Sequence, residues 1–189
     1  QSHVRDAWNT TWQVIGLCNN LIAQLNNNEL NLDAGANAAA LAEVRAIRAY
    51  YYSVIVDNWG DAPFVTEPTQ ELPSITPRAE IYNFVVSELK EVIPALSENV
   101  GGAQYGAQYG IGGSWYGIGT AFNKWAATTL LAKMYLNAGV YVGTPDWQGA
   151  LDACNTIINS GKFALQANYK DNFRDDDAFA ASNNYFSFN

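Results

Sequence analysis

The stretch Glu43-Val44-Arg45-Ala46-Ile47-Arg48-Ala49-Tyr50-Tyr51-Tyr52, running on to Asp57-Asn58-Trp59-Gly60-Asp61-Ala62-Pro63-Phe64-Val65, decides the fold. Leu41, Val44, Ile47, Tyr51, Val54 and Ile55 recur at three- and four-residue steps, the period of an amphipathic helix. The spacing predicts a helix over 38–58, with Arg45 and Arg48 on another edge. Gly60-Asp61-Ala62-Pro63 ends it, because Gly permits a left-handed cap and Pro cannot continue a helix.

The same period recurs on both sides. A first helix is predicted over 8–25, with Trp8, Trp12, Ile15, Asn19 and Ile22 along one edge and Asn26-Asn27-Asn28 as its stop. A third opens at Thr76-Pro77, read as a capping hydroxyl followed by Pro at the first helical position, and carries Ile81, Val85, Leu89, Val92 and Leu96 as its stripe. A fourth is expected over 120–138, rich in small residues, with Gly139 as its stop. A fifth opens at Thr144-Pro145, with Trp147, Ala150, Leu151, Cys154, Ile157 and Ile158 facing inward. The last two form a hairpin turning at 140–144, whose aromatics and alanines resemble a tetratricopeptide unit. The expected class is all-α.

Composition narrows the function. The 189 residues hold 10 basic and 18 acidic side chains, a formal charge of −8, which argues against binding a nucleic-acid backbone. Charged residues are 15 %, below the usual ~25 %, while aromatics reach 13 %. The chain therefore carries many stacking faces and few charges. No apolar run approaches a membrane span. The opening residues 1–6 lack the apolar region of a secretory leader.

Catalytic signatures are weak. His3, the only histidine, sits at the start of the chain, where a held imidazole is not expected. Cys18 and Cys154 stand far apart without a CxxC and read as two free, buried thiols, so neither zinc nor any other cofactor is expected. Asp171, Asp175, Asp176 and Asp177 form the densest acidic cluster; a solvated loop and a calcium site are both open, though the EF-hand spacing is absent. A glycosidase needs two carboxyls across a cleft, and composition places no such pair.

The long gap over 98–119 is the most unusual segment. Ala-Gln-Tyr-Gly occurs twice in tandem within a Gly-rich run. No Gly-Lys-Ser/Thr follows, so it is not a phosphate loop. Gly117-Ile118-Gly119 falls short of a dinucleotide fingerprint. Tyr105, Tyr109, Trp115 and Tyr116 offer flat faces suited to a pyranose ring, and Trp8 lies at a helix start from which it can reach a site. These five are the candidate ligand contacts. The alternative is that the loop rings fold back on the helices as a local core. Tyr51, Phe84, Trp125 and Trp147 are expected in helix–helix packing.

With these blocks in place, the chain resembles the SusD-like (RagB/SusD) family. That family's hallmark is a helix with an Arg-Phe-Leu-Arg-Ala-Tyr-Tyr-Tyr-like run closed by Tyr/Trp-Gly-Asp-Val-Pro-Leu; here Ala46-Ile47 stand in the Phe-Leu place. Pro77-Arg78-Ala79-Glu80-Ile81-Tyr82-Asn83-Phe84, with Leu89-Lys90-Glu91-Val92-Ile93-Pro94, matches the family's next helix. The run from Lys124 to Leu136 matches its Ala-Leu-Leu-Ala-Lys-Val-Tyr-Leu helix, and the run from Trp147 to Leu165 its Trp-x-x-Ala…Ser-Gly-Lys-Tyr-x-Leu block.

The resemblance implies a tetratricopeptide-like helical superhelix carrying the long Gly/Tyr-rich loop. It implies a non-catalytic glycan-binding subunit that works in oligosaccharide uptake with a SusC-like TonB-dependent transporter. It further implies a lipid-anchored protein at the outer-membrane surface. A protein-interaction scaffold and a glycoside hydrolase are the alternatives. Members are several hundred residues long, so residues 1–189 are expected to be the N-terminal helical portion of a longer protein. Cys18, inside a helix, cannot serve as the lipidated N-terminal cysteine. Asn184-Tyr185-Phe186 stand where members often have Glu before an Ile-Phe strand. Glycan contacts vary among members, so none is carried over by position.

Overall fold

In the computed structural model, residues 2–98, 122–165 and 169 are described. The order is α1 (Ser2–Asn26), α2 (Ala34–Asn58), β1 (Ala62–Pro63), β2 (Ile75–Thr76), α3 (Arg78–Val92), a 3-10 turn (Ile93–Ala95), α4 (Lys124–Leu136), the short α5 (Ala138–Tyr141) and α6 (Trp147–Asn159). Consecutive helices pack on one another: α1 on α2, α2 on α3, α3 on α4 and α4 on α6. Each layer touching mainly its neighbours is the logic of a helical repeat array. The expected all-α class is borne out. The Gly/Tyr-rich loop lies outside the described residues.

α1 extends further in both directions than periodicity suggests. Beyond it Asn28 (φ 54°) and Asn31 (φ 51°) take left-handed backbone, which Asn tolerates better than most residues. α2 starts four residues earlier than expected because Asp33 caps it, its Oδ1 accepting from Ala36 N at 2.9 Å. At the far end Gly60 (φ 79°) donates back to Ile55 O at 3.1 Å, closing the helix with a left-handed residue.

The buried line of α2 differs from the expected stripe. Ala42, Ala46, Ala49, Tyr52, Ser53, Ile55 and Val56 are buried, whereas Leu41, Val44, Ile47, Tyr51 and Val54 are only half-buried. α2 is sandwiched between α1 and α3. Its alanines sit where backbones approach most closely, and its larger residues flank them. Arg48 belongs to this buried line.

α3 buries Ile81, Val85, Leu89 and Val92 as expected, with Leu96 beyond it. Its cap does not come from Thr76: Pro77 holds the cap position, and Asp61 Oδ1 accepts from Arg78 N at 2.8 Å. α4 is capped by Asn123, whose Oδ1 accepts from Ala126 N, and ends at Leu136 rather than at Gly139, which lies inside α5. α6 is capped by Asp146, not by Thr144, through Gly149 N at 2.9 Å. The hairpin turn therefore includes a short helix.

Two further expectations fail on α6. It packs on α4 through Ala150 and Ala153, leaving Trp147 61 %, Leu151 53 % and Ile158 68 % exposed. Small residues form its contact face, and the large apolar ones project outward. Cys154 shares that exposed side; Cys18 is buried, and both thiols are free.

Candidate functional site

β1 and β2 are only two residues each, paired Ala62↔Thr76 and Pro63↔Ile75. They close the base of a loop over 64–74, which lies against α1. Between them runs a groove of about 710 Å³. Trp8, Trp12, Ile15, Gly16, Asn19 and Asn20 form the α1 wall. Pro63, Val65, Glu67, Pro68, Thr69, Gln70, Glu71 and Pro73 form the loop wall. Prolines fix φ, so three of them stiffen a segment with almost no secondary structure.

The loop wall is pinned from below. Tyr52 Oη donates to Val65 O at 2.6 Å and accepts from Val65 N at 2.9 Å. Asn19 Nδ2 donates to the same carbonyl at 2.9 Å. Arg48 Nη1 donates to Thr66 O at 2.8 Å and to Asn19 Oδ1 at 3.0 Å. Arg48, only 4 % exposed, is charge-balanced by Glu88, whose Oε1 accepts from Nη2 at 2.7 Å. Glu88 Oε2 accepts from Arg45 Nε at 2.7 Å, and Arg45 makes two further bonds to Glu91. The guanidinium of Arg48 also lies 5.3 Å from the Phe84 ring centre.

This arrangement shifts its titrating groups. Burial pushes the Tyr52 hydroxyl up to about 12, against the opposing pull of the Val65 bond and the Arg48 charge. Burial likewise raises the Cys18 thiol, with Arg48 opposing. The hydrogen bonds from Arg45 hold the Glu91 carboxyl below its ordinary value.

Trp8 is half-buried. Its ring meets Trp12 edge-on at 5.5 Å and Trp59 at 5.1 Å. The series continues from Trp12 to Tyr52, then to Phe64 and Phe84. Trp8 also borders a smaller hollow with Val4, Arg5 and Trp59. Edge-to-face neighbours hold an indole in one orientation while leaving part of its surface open. The groove thus combines a fixed aromatic wall with amide and carboxylate acceptors. Trp12 Nε1 is buried without a partner among the described residues.

Of the five candidate contacts, Trp8 lies on this groove; Tyr105, Tyr109, Trp115 and Tyr116 lie outside the described residues, as does the cluster from Asp171 to Asp177. Sequence reasoning missed the loop wall. Its signal was the run Glu67-Pro68-Thr69-Gln70-Glu71-Leu72-Pro73, where stiff prolines alternate with hydrogen-bonding side chains. Among the described residues no three potential metal ligands come together, and no helix is long and apolar enough to cross a membrane.

Comparison with known proteins adds the family. The chain is 30 % identical over 174 residues to SusD-like protein P25 of Formosa agariphila, covering 90 % of this chain and 29 % of that protein. It is 31 % identical over 135 residues to the starch-binding protein SusD of Bacteroides thetaiotaomicron, covering 71 % and 22 %. Its fold superposes on a SusD-like carbohydrate-binding protein of Bacteroides fragilis with a TM-score of 0.70 at 23 % identity, covering 89 % and 29 %. The chain spans less than a third of the length of each of these proteins. Residues 1–109, which contain the whole groove, match the SusD-like family model described as starch-binding and associating with the outer membrane, and the chain belongs to that family.

Proposed function

We propose that this chain is the N-terminal helical portion of a non-catalytic glycan-binding subunit. It serves an outer-membrane oligosaccharide uptake system, lipid-anchored at the cell surface and working with a SusC-like TonB-dependent transporter. The observation that carries the binding role is the Trp8 groove, found within the segment that matches a starch-binding family. A fixed indole face stacks on the C–H face of a sugar, and Asn20, Gln70 and the rim carboxylates accept its hydroxyls. Tyr105, Tyr109, Trp115 and Tyr116 are proposed to extend this surface.

Calorimetry with a panel of polysaccharides tests the proposal. Trp8→Ala is expected to weaken binding at least tenfold, the scale of one lost stacking contact of about 1.4 kcal/mol. Unchanged affinity removes the groove from the site. The pair Tyr105→Ala and Tyr109→Ala asks the same of the loop. No release of reducing ends is expected from any polymer that binds; turnover restores the glycoside-hydrolase alternative.

One observation favours a second role as an interaction scaffold. The outward stripe of Trp147, Leu151 and Ile158 is a surface suited to another protein element. Co-purification of a large outer-membrane barrel with the full-length protein supports the transporter partnership; a protein that stays monomeric in membrane extracts counts against it.

A further inference from the structure

We infer that the groove selects uncharged glycans and disfavours anionic ones, those carrying uronate carboxylates or sulfate esters. This rests on the glycan-binding reading of the groove and adds the chemical class of its ligand.

The two carboxylates on the groove are Glu67 and Glu71, both exposed on the loop wall. No Lys, Arg or His is among the described residues that line it. Neither glutamate has an ion-pair partner within 4.0 Å among the described residues. Two cations lie near the groove without lining it. Arg48 lies beneath the floor, buried, bonded to Asn19 and Thr66 and neutralised by Glu88. Arg5 borders the smaller hollow that shares Trp8, is exposed, and sits 3.9 Å from Asp6.

Recognition of a carboxylate or sulfate ester uses Arg or Lys donors, as bidentate or point-charge contacts. This groove offers neither. Its polar inventory is acceptors on Glu67 and Glu71 and mixed donor–acceptor groups on Asn20, Thr69 and Gln70. Sugar hydroxyls satisfy that inventory because each donates as well as accepts. An anionic substituent brings only acceptors and a like charge.

The magnitude follows from Coulomb's law in water. One carboxylate about 7 Å from an anionic substituent weakens binding roughly threefold at low salt, and two weaken it several-fold. At high ionic strength the Debye length shrinks to about 3 Å, and the penalty fades.

The test uses backbone-matched pairs: amylose, laminarin and xylan, each beside its own carboxymethylated derivative, with the full-length protein. Dissociation constants are read by affinity electrophoresis and by tryptophan fluorescence, at low salt and at 1 M salt. The expected result is that carboxymethylation weakens binding severalfold at low salt and much less at high salt. The double variant Glu67→Gln/Glu71→Gln is expected to close the low-salt gap between the two members of each pair, each compared within the same variant. Equal binding of both members of a pair, or a gap that the double variant leaves unchanged, overturns the selectivity and leaves the glycan-binding reading in place. A protein that binds no member of any pair overturns both.

Discussion

Replacing Arg48 by Met removes one guanidinium and leaves three acceptors that the fold built around it. Thr66 O and Asn19 Oδ1 lose their donors at 2.8 and 3.0 Å, and Glu88 Oε1 loses its partner at 2.7 Å. Glu88 is 7 % exposed and keeps only the Arg45 bond at 2.7 Å. Breaking a buried pair from one side costs about 3–5 kcal/mol, because a buried charge is left under-compensated. Arg45 remains, so the expected loss is about 3 kcal/mol. That is a large share of a typical domain stability of about 5–15 kcal/mol. Glu88→Met should cost a similar amount, since it strands the buried Arg48. The double variant Arg48→Met/Glu88→Met exchanges the pair for two apolar chains of similar length and should cost far less than the sum, with a coupling of at least about 2 kcal/mol. Urea unfolding followed by tryptophan fluorescence measures all four proteins, with the slope checked for constancy. A loss below about 1 kcal/mol for Arg48→Met, or strictly additive costs, would show that water or rearrangement replaces these bonds. The claim that Arg48 holds the groove wall would then fail.

Two further outcomes follow from the titrating groups. Tyr52 has its hydroxyl pKa raised to about 12, so between about pH 10 and 12 the folded state keeps a proton that the unfolded state has lost. Its contribution to stability is full below the unfolded value near 10 and declines as pH rises toward 12. Alkaline urea titrations should therefore show a steeper stability loss in the wild type than in Tyr52→Phe; parallel curves would refute the assignment. With an aromatic disulfide reagent, Cys154 should react in the folded chain within minutes, while Cys18, buried and with its thiol pKa raised, should react only on unfolding. Equal rates for the two thiols would contradict the burial difference.

The parts of the fold that were legible are those set by local pattern. α3 reads directly, because Ile81, Val85, Leu89 and Val92 face one core and all four are buried. α2 reads as a helix but not as the right face. A helix packed on two sides buries alanines at its closest contacts, and periodicity scores large residues above small ones. Arg48 was read only as lying on another edge, and its burial was not legible because its counter-charge, Glu88, lies forty residues further along. The caps failed where the acceptor came from outside the expected dipeptide, as with Asp61 for α3 and Asp146 for α6. Of the residues that line the groove, only Trp8 was read as a candidate contact. Trp8 was marked by its ring and its place at a helix start. The facing wall depends on Tyr52, Asn19 and Arg48 reaching one loop from two helices, a convergence with no local trace.

The sixth helix separates two meanings of an apolar stripe. Trp147, Leu151, Cys154 and Ile158 repeat at helical spacing, which in water argues that some surface covers them. Yet among the described residues α6 meets α4 through Ala150 and Ala153, on its other side. Both facts hold if the helix is an internal layer of its array rather than its end. An alanine face permits close packing on one neighbour, and a face of large apolar residues calls for another. A terminal layer of a helical repeat normally turns a polar face outward. α6 is mixed: Gln148, Asp152, Asn155, Thr156 and Asn159 are exposed beside the apolar stripe, and Leu136 and Val140 add to the exposed apolar surface. Periodicity read the stripe correctly as one face of a helix and failed in turning that face inward. The distinction bears on function as well. Under the proposed glycan-binding role, the groove at α1, lined by hydrogen-bonding side chains, would take an exchangeable ligand and the apolar stripe of α6 a protein contact.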